Sequence, residues 1–225
     1  MAGVRDEIAR AADRARRDPS TVRLVAVSKT FDADHVRAVA DAGQIDFGEN
    51  KVQEALEKMG RTTDLALRWH LIGHLQSNKA KKAGAHFDTI HSLDGAELGR
   101  KLEQATTDSN RRLELLAQVD LAGEPTKHGA PEDELPAIFE AARGWGACRL
   151  AGLMILPPAT DHPEGARPYF RALKLVRDRL LARGVDQSML AELSMGMSHD
   201  FGAAVEEGAT LVRVGTAIFG GRTAG

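Results

Sequence analysis

The sequence holds three features whose chemistry could combine: a lysine at the end of an apolar run and two glycine-bearing turns near the C-terminus. The run Leu24-Val25-Ala26-Val27-Ser28-Lys29-Thr30 reads as a buried strand that delivers Lys29 to its end. There, apolar walls and neighbouring cations would favour the neutral amine, which attacks carbonyl carbon. A solvated lysine at a strand end is the plainer reading of that residue taken alone. The turns are Ser194-Met195-Gly196-Met197-Ser198, leading into His199-Asp200-Phe201, and Val214-Gly215-Thr216-Ala217-Ile218-Phe219-Gly220. Ser198 has the side chain of a helix N-cap, and a glycine followed by free backbone N–H groups at a helix start makes an anion site. An amine and a phosphate cradle together describe a site for a phosphorylated aldehyde. Arg213, between Val212 and Val214, would be buried and in need of a partner. Facing inward, it could meet the pyridine nitrogen of pyridoxal phosphate and keep that nitrogen unprotonated; facing outward, it would form a structural ion pair with a carboxylate.

Elements that position such residues follow from the alternation of short β-branched runs with longer stretches of helical spacing, the pattern of βα units in a parallel sheet. Strands are expected at Val22–Ser28, around Ile45–Gly48, and at Arg68–Gly73, His86–His91, Leu113–Asp120, Arg149–Met154, Met189–Met195 and Thr210–Gly215. Between them, Val52, Ala55, Leu56 and Met59 form an apolar helical stripe, as do Leu135, Ile138, Phe139 and Ala142. Tyr169, Leu173, Val176 and Leu180 make a third. Eight such strands predict an α/β fold, a single (β/α)8 TIM-type barrel with its site at the C-terminal strand ends and phosphate held after strands seven and eight. The alternative, an open doubly wound sheet, lacks its GxGxxG fingerprint here. Only a short segment follows strand eight, so the N-terminal helix, with Val4, Ile8, Ala11 and Ala15 in register, is expected to cover the gap left by a missing eighth helix.

Composition narrows the function class. With 225 residues and 43% hydrophobic content, the chain suits one core, and one domain over 1–225 is expected. Thirty basic against 32 acidic side chains give a net charge of -2, which disfavours nucleic acid and anionic membranes as partners. The single cysteine, Cys148, fits a reducing compartment, and the N-terminus has no signal-peptide hydrophobic centre. A cytoplasmic protein is expected. His70 and His74 lie four apart, about 13 Å along a strand, and the chain has no HExxH or cysteine cluster, so no metal site is expected. Lys79, Lys81 and Lys82 read as a solvated helix face.

Taken together, LVAVSKT, FGENKVQEAL, WHLIGHLQSNKAKKA, HSLD, GEPTKHG, GLM, SMGMSHDF and VRVGTAIFGGR closely resemble the pyridoxal phosphate homeostasis proteins over nearly the whole chain. Their fold is similar to the N-terminal barrel of bacterial alanine racemase, the fold type III of pyridoxal phosphate proteins without the C-terminal β domain. The resemblance implies that Lys29 carries the cofactor as a Schiff base, with Asn50 beside it and Met154 near the ring. It places Ser194, Ser198, Gly215 and Thr216 in the phosphate-binding turns and Arg213 at the pyridine. Asp120 stands where the family pattern has asparagine, which leaves contacts near strand five in doubt.

The resemblance implies carriage and buffering of the cofactor in vitamin B6 and amino- and keto-acid homeostasis, with apo-enzymes as transient acceptors, a monomeric state and no established turnover. A two-base racemase needs a proton-transferring group on each face of the substrate, and the one tyrosine, Tyr169, falls on the third helical stripe rather than at a strand end. A weak amino-acid racemase using Lys29 with water or His199 is the enzyme alternative, and a purely structural barrel is the third reading.

Overall fold

The computed structural model describes residues 1–121, 123 and 128–221. Residues 124–127 of the GEPTKHG stretch and Arg222 of the last motif lie outside them. Eight parallel strands close in sequence order: β1 (Arg23–Val27), β2 (Asp46–Glu49), β3 (Arg68–Leu71), β4 (Thr89–Leu93), β5 (Leu113–Gln118), β6 (Cys148–Met154), β7 (Glu192–Met197) and β8 (Leu211–Val214), with β8 pairing back to β1. The barrel is therefore the α/β architecture that the strand count predicts.

Two strands begin three residues later than the sequence reading places them, and β3 and β5 end two residues earlier. The fourth begins at Thr89 because His86 closes a helix and Phe87 and Asp88 make the turn. The seventh begins at Glu192 because Gln187–Leu190 wind into a 3-10 turn that Asp186 caps through the Ser188 amide.

The helices are α1 (Ala2–Arg14), α2 (Ala33–Asp41), α3 (Val52–Arg61), α4 (Ala80–His86), α5 (Ala96–Asp108), α6 (Leu135–Ala142), α7 (Arg167–Ala182), α8 (Phe201–Glu206) and the single-turn α9 (Thr216–Phe219). On α7 the buried stripe is Phe170, Leu173, Val176 and Leu180; Tyr169 sits on its flank, half-buried. Lys79 lies in a 3-10 turn before α4, and Lys81 and Lys82 are exposed on that helix.

Among the described residues β8 is followed only by the single-turn α9, and the remaining position in the helix ring is filled by α1. Val4, Ile8, Ala11 and Ala12 bury one face of α1. Arg14 pairs with Glu206 of α8, and Arg17 donates to Val205 and Ala209 carbonyls on the same side. At its other end, Arg5 donates to the Gly43 carbonyl beyond α2. No helix of the described residues is long and apolar enough to cross a membrane.

Side chains alternate across the wall, as the pleat requires. Val25, Leu116, Ala151, Met154 and Leu211 form an apolar cluster separate from the larger one shared by outward strand faces and helices. Val212 and Val214 belong to the outer cluster, so Arg213 between them points into the barrel.

Candidate functional site

At the C-terminal ends of the strands the barrel opens into a cavity of about 490 Å³. That is room for a cofactor-sized ligand. Lys29, Asn50, Ser198, Arg213, Gly215 and Thr216 all line it. Met154 and Ser194 do not: both are fully buried, Met154 in the apolar cluster inside the barrel and Ser194 in a polar one.

Lys29 follows directly on β1, in a turn held by the Ser28 carbonyl, which accepts from the Phe31 amide at 3.0 Å and from Lys58 Nζ at 2.8 Å. Lys58 also pairs with Glu49 at 2.6 Å, and Glu49 Oε1 accepts from the Ser28 hydroxyl. Burial holds the Glu49 carboxyl above its usual range despite these donors. Thr30 takes φ 71°, a left-handed conformation unusual for a β-branched residue, immediately after the amine-bearing residue. Two donors on one carbonyl hold that conformation in place. At the end of β3, Gly73 brings backbone against Asn50: a Cβ there would meet the Asn50 carbonyl oxygen at 2.3 Å.

The two phosphate-side turns are tied to each other. Ser198 Oγ accepts from the Gly215 amide at 3.0 Å and, more weakly, from Ala217 at 3.5 Å. Ser198 therefore does not cap α8; it bridges β7 to β8, because Asp200 occupies the N-cap position. Asp200 in turn accepts from the Met197 amide at 2.6 Å, so that N–H of the seventh turn is satisfied internally. Burial raises the Asp200 carboxyl above its usual value. Gly196, at φ 90°, makes the bulge where β7 slips against β8; a Cβ there would meet Ala204 Cβ at 2.5 Å.

Arg213 is 2% exposed and donates to Ser194 Oγ and, at 2.8 Å, to the Ile155 carbonyl. Its nearest recognised partners are thus neutral, and the ion pair considered as the alternative is not among the salt bridges of the described residues. Burial pushes the guanidinium down to about 10, which leaves it a cation at neutral pH.

The sequence reading did not single out Phe31, Gln118 or His128 as walls of the cavity, weighed His74 only for metal, and named His199 only as a base for the enzyme alternative. Phe31 lines one side, backed by Phe219 of α9, on which it stacks at 5.0 Å. His74 stacks on His128 at 3.5 Å, and Gln118 donates to the His128 carbonyl. Burial, and His128 beside it, lower the His74 pKa. His74 leaves the strand, which ends at Leu71, so it does not share a strand face with His70. His199 also lines the cavity. The signal available in the sequence was the position of these residues just past strand ends, which is where a barrel builds its site. Asp120 is not on the lining; its carboxylate accepts from the Gly123 amide at 2.8 Å. Cys148 is the first residue of β6, hence at the opposite end of the barrel, and burial pushes its thiol up to about 12. Tyr169 is likewise off the lining.

Among the described residues no aspartate or glutamate lines the cavity, while a lysine, an arginine and three histidines do. An amine, hydroxyls, amides and a guanidinium form a donor set suited to a phosphorylated, electrophilic ligand with a ring nitrogen acceptor, so the residues fit pyridoxal phosphate. No three His, Cys, Asp or Glu groups of the described residues converge as a metal site.

Comparison with known proteins agrees with that chemistry. Residues 3–223 match the family model for the alanine racemase N-terminal domain. The chain is 42% identical to the pyridoxal phosphate homeostasis protein of Pseudomonas aeruginosa, covering 100% of this chain and 95% of that one. It is 40% identical to the protein of the same name from Aquifex aeolicus, over 99% and 96% of the two. Synechococcus elongatus PipY, solved with PLP bound, superposes with a TM-score of 0.84 at 40% identity over 95% of this chain and all of that one. Alanine racemase of Clostridium difficile, at 16% identity and TM-score 0.70, shares the fold over 58% of its length. By these identities and this coverage, the chain belongs to the pyridoxal phosphate homeostasis protein family.

Proposed function

We propose that this protein binds pyridoxal phosphate at the barrel mouth, anchors it reversibly on Lys29, and buffers its supply for vitamin B6 and amino- and keto-acid homeostasis. The observation that carries the reading is the convergence of Lys29, the Ser198-linked glycine turns and an inward Arg213 on one cavity, with no lining carboxylate among the described residues. When bound, the cofactor supplies an aldehyde that condenses with a primary amine and releases water. Lys29 is the amine. Ser198 and Thr216 would offer the phosphate their hydroxyls, Gly215 lets the backbone approach while its own amide is held by Ser198, and the opening turn of α9 adds N–H groups that lack helical acceptors. Arg213, a fixed donor, faces a ring nitrogen that accepts. Asn50 and Phe31, both on the lining, would confine the ring. Met154, buried in the apolar cluster inside the barrel, and Ser194, which accepts from Arg213, would act only indirectly, Ser194 through the guanidinium that meets the ring nitrogen.

The test compares wild type with Lys29→Ala for visible absorbance on adding pyridoxal phosphate, followed by borohydride reduction and peptide mapping. Wild type should carry the reduced adduct on Lys29 and the variant should carry none there; an adduct on another residue of the wild type would sink the assignment.

The enzyme alternative retains one supporting observation, His199 on the cavity wall. Incubation of the loaded protein with L-alanine in heavy water separates the two. Steady α-deuteration at ordinary enzyme rates would replace the carrier reading. The carrier reading also places the protein in the cytoplasm, as a monomer of one domain over 1–225 that passes cofactor to apo-enzymes. Sedimentation at micromolar concentration and transfer to an apo-enzyme in the presence of a trap for free cofactor check those statements.

A further inference from the structure

The barrel interior holds an unbroken line of polar groups beneath the cavity. Asp46, the first residue of β2, lies at the floor, where Arg68 Nη2 donates to its Oδ2 at 2.7 Å. Its other oxygen, Oδ1, is 2.9 Å from His70 Nε2. His70 Nδ1 is 3.0 Å from His91 Nε2, His91 Nδ1 is 2.8 Å from Ser194 Oγ, and Ser194 Oγ accepts from Arg213. Asp46, His70, His91, Ser194 and Arg213 are all buried residues, at most 5% exposed.

Proton bookkeeping along this line has one solution when both imidazoles are neutral. An ionised Asp46 can only accept, so His70 carries hydrogen on Nε2 and leaves Nδ1 bare. His91 must then donate from Nε2 and accept at Nδ1. The acceptor at Nδ1 claims the Ser194 hydroxyl hydrogen, and the Ser194 lone pairs are left for Arg213. Arg213, which can only donate, is compatible with that order. We infer that Asp46, His70, His91 and Ser194 form a directed hydrogen-bond chain whose donors all point from Arg213 to Asp46. Through it Asp46, a positioning residue on the barrel floor, holds the guanidinium at the cavity in one orientation. The part of this that concerns the cofactor rests on the reading above; the chain itself does not.

The surrounding charges support the assignment. His91, facing His70, Ser194 and Arg213 with Arg23 farther off, is held neutral first by burial, then by the repulsion a protonated His70 would add, and by the positive charges of Arg213 and Arg23. Asp46, faced by His70 and Arg68, lies below the usual carboxylate range because their donors outweigh its burial. Arg213 is also faced by Asp200, and Arg23 is paired with Glu192. Doubly protonating His70 would force hydrogen onto His91 Nδ1, so Ser194 would accept twice and a third cation would join Arg213 and Arg68.

Long-range nitrogen–proton NMR of the ligand-free full chain, labelled at histidine and arginine, reads the chain directly near neutral pH. Both buried imidazoles should carry hydrogen on Nε2 and none on Nδ1; hydrogen on Nδ1 of either one overturns the inference. Asp46→Asn replaces one accepting oxygen by a donor, which opposes either Arg68 or His70. In that variant the His91 and Arg213 side-chain resonances should shift, and pyridoxal phosphate retention should weaken by about tenfold, the consequence of about one misaligned hydrogen bond to a charged group. Unmoved His91 and Arg213 signals in a folded variant would overturn the coupling. Should Asp46→Asn fail to fold, His70→Gln, whose single accepting oxygen and amide cannot reproduce the imidazole, takes its place with the same readout. A wild type that shows the stated tautomers yet retains no pyridoxal phosphate would strike the cofactor reading and leave the chain standing.

Discussion

Two buried acid–base systems flank the barrel wall, and each holds one residue of the site. Between the wall and α3, Glu49 and Lys58 touch directly at 2.6 Å and fix the Ser28 carbonyl that forms the Lys29 turn. Inside the barrel, Asp46 and Arg213 never touch; Ser194 and two histidines stand between them. The direct pair concentrates opposite charge at one point and leaves Glu49 Oε2 without a hydrogen-bond partner among the described residues. The extended system spreads the same charge pair over the barrel, so its neutral members carry orientation rather than charge. A short pair anchors backbone, and a long one aims a side chain across a distance that no single side chain spans.

Removing one partner of the compact pair should have the largest effect. Lys58→Met leaves Glu49 buried without a counter-ion and should cost about 3–5 kcal/mol in urea unfolding at pH 7. Because the folded Glu49 carboxyl already titrates above its ordinary value, the folded state binds more protons than the unfolded state over the interval between the two pKa values. Stability then falls as pH rises through that interval. Without Lys58 the interval widens upward, so the variant should regain stability as pH is lowered from 7 towards 5. A variant as stable as wild type at pH 7 would break the contrast between the two systems.

Ser194→Ala interrupts the extended system by leaving His91 Nδ1 and one Arg213 donor unpaired. It should cost about 2 kcal/mol in the same measurement. His91 is neutral in the fold, its pKa well below the ordinary 6.5, so below about pH 6.5 the unfolded state binds the extra proton. Wild-type stability therefore declines as pH falls from there. His91→Gln should flatten that decline by up to about 1.4 kcal/mol per pH unit, the slope of one proton. Ser28→Ala, which removes one of two donors to Glu49 Oε1 and spares Lys58, should be the mildest at about 1 kcal/mol. If Ser28→Ala proved costlier than Ser194→Ala, the compact pair would be the more dependent on its neutral neighbour.

The strand count and the lysine turn were legible because both are local. Apolar runs of four to seven residues alternate with helical stripes, and Lys29 ends the clearest of those runs. Boundaries failed where a competing local structure took over, as at His86, which stays helical, and at Gln187–Leu190, which Asp186 turns into a 3-10 segment. Ser194 and Ser198 looked equivalent on either side of Gly196. The bulge at that glycine separates them: Ser194 stays inside the barrel and Ser198 reaches the neighbouring turn. His70 was weighed with His74, its neighbour in sequence, although its hydrogen-bond partners are Asp46 and His91, 24 and 21 residues away.

By itself the sequence determined that eight strand–helix units follow one another, that a lysine ends the first strand, and that an arginine stands within the last between two valines. Which way that arginine points, and what it leans on, only the tertiary structure decided. Closing the barrel sets the register of strands far apart in the chain, and that register aligns single polar residues from β2, β3, β4, β7 and β8 into one line. Each comes from a different segment, so no pattern of spacing announces the line, and its partners exist only once the last strand meets the first.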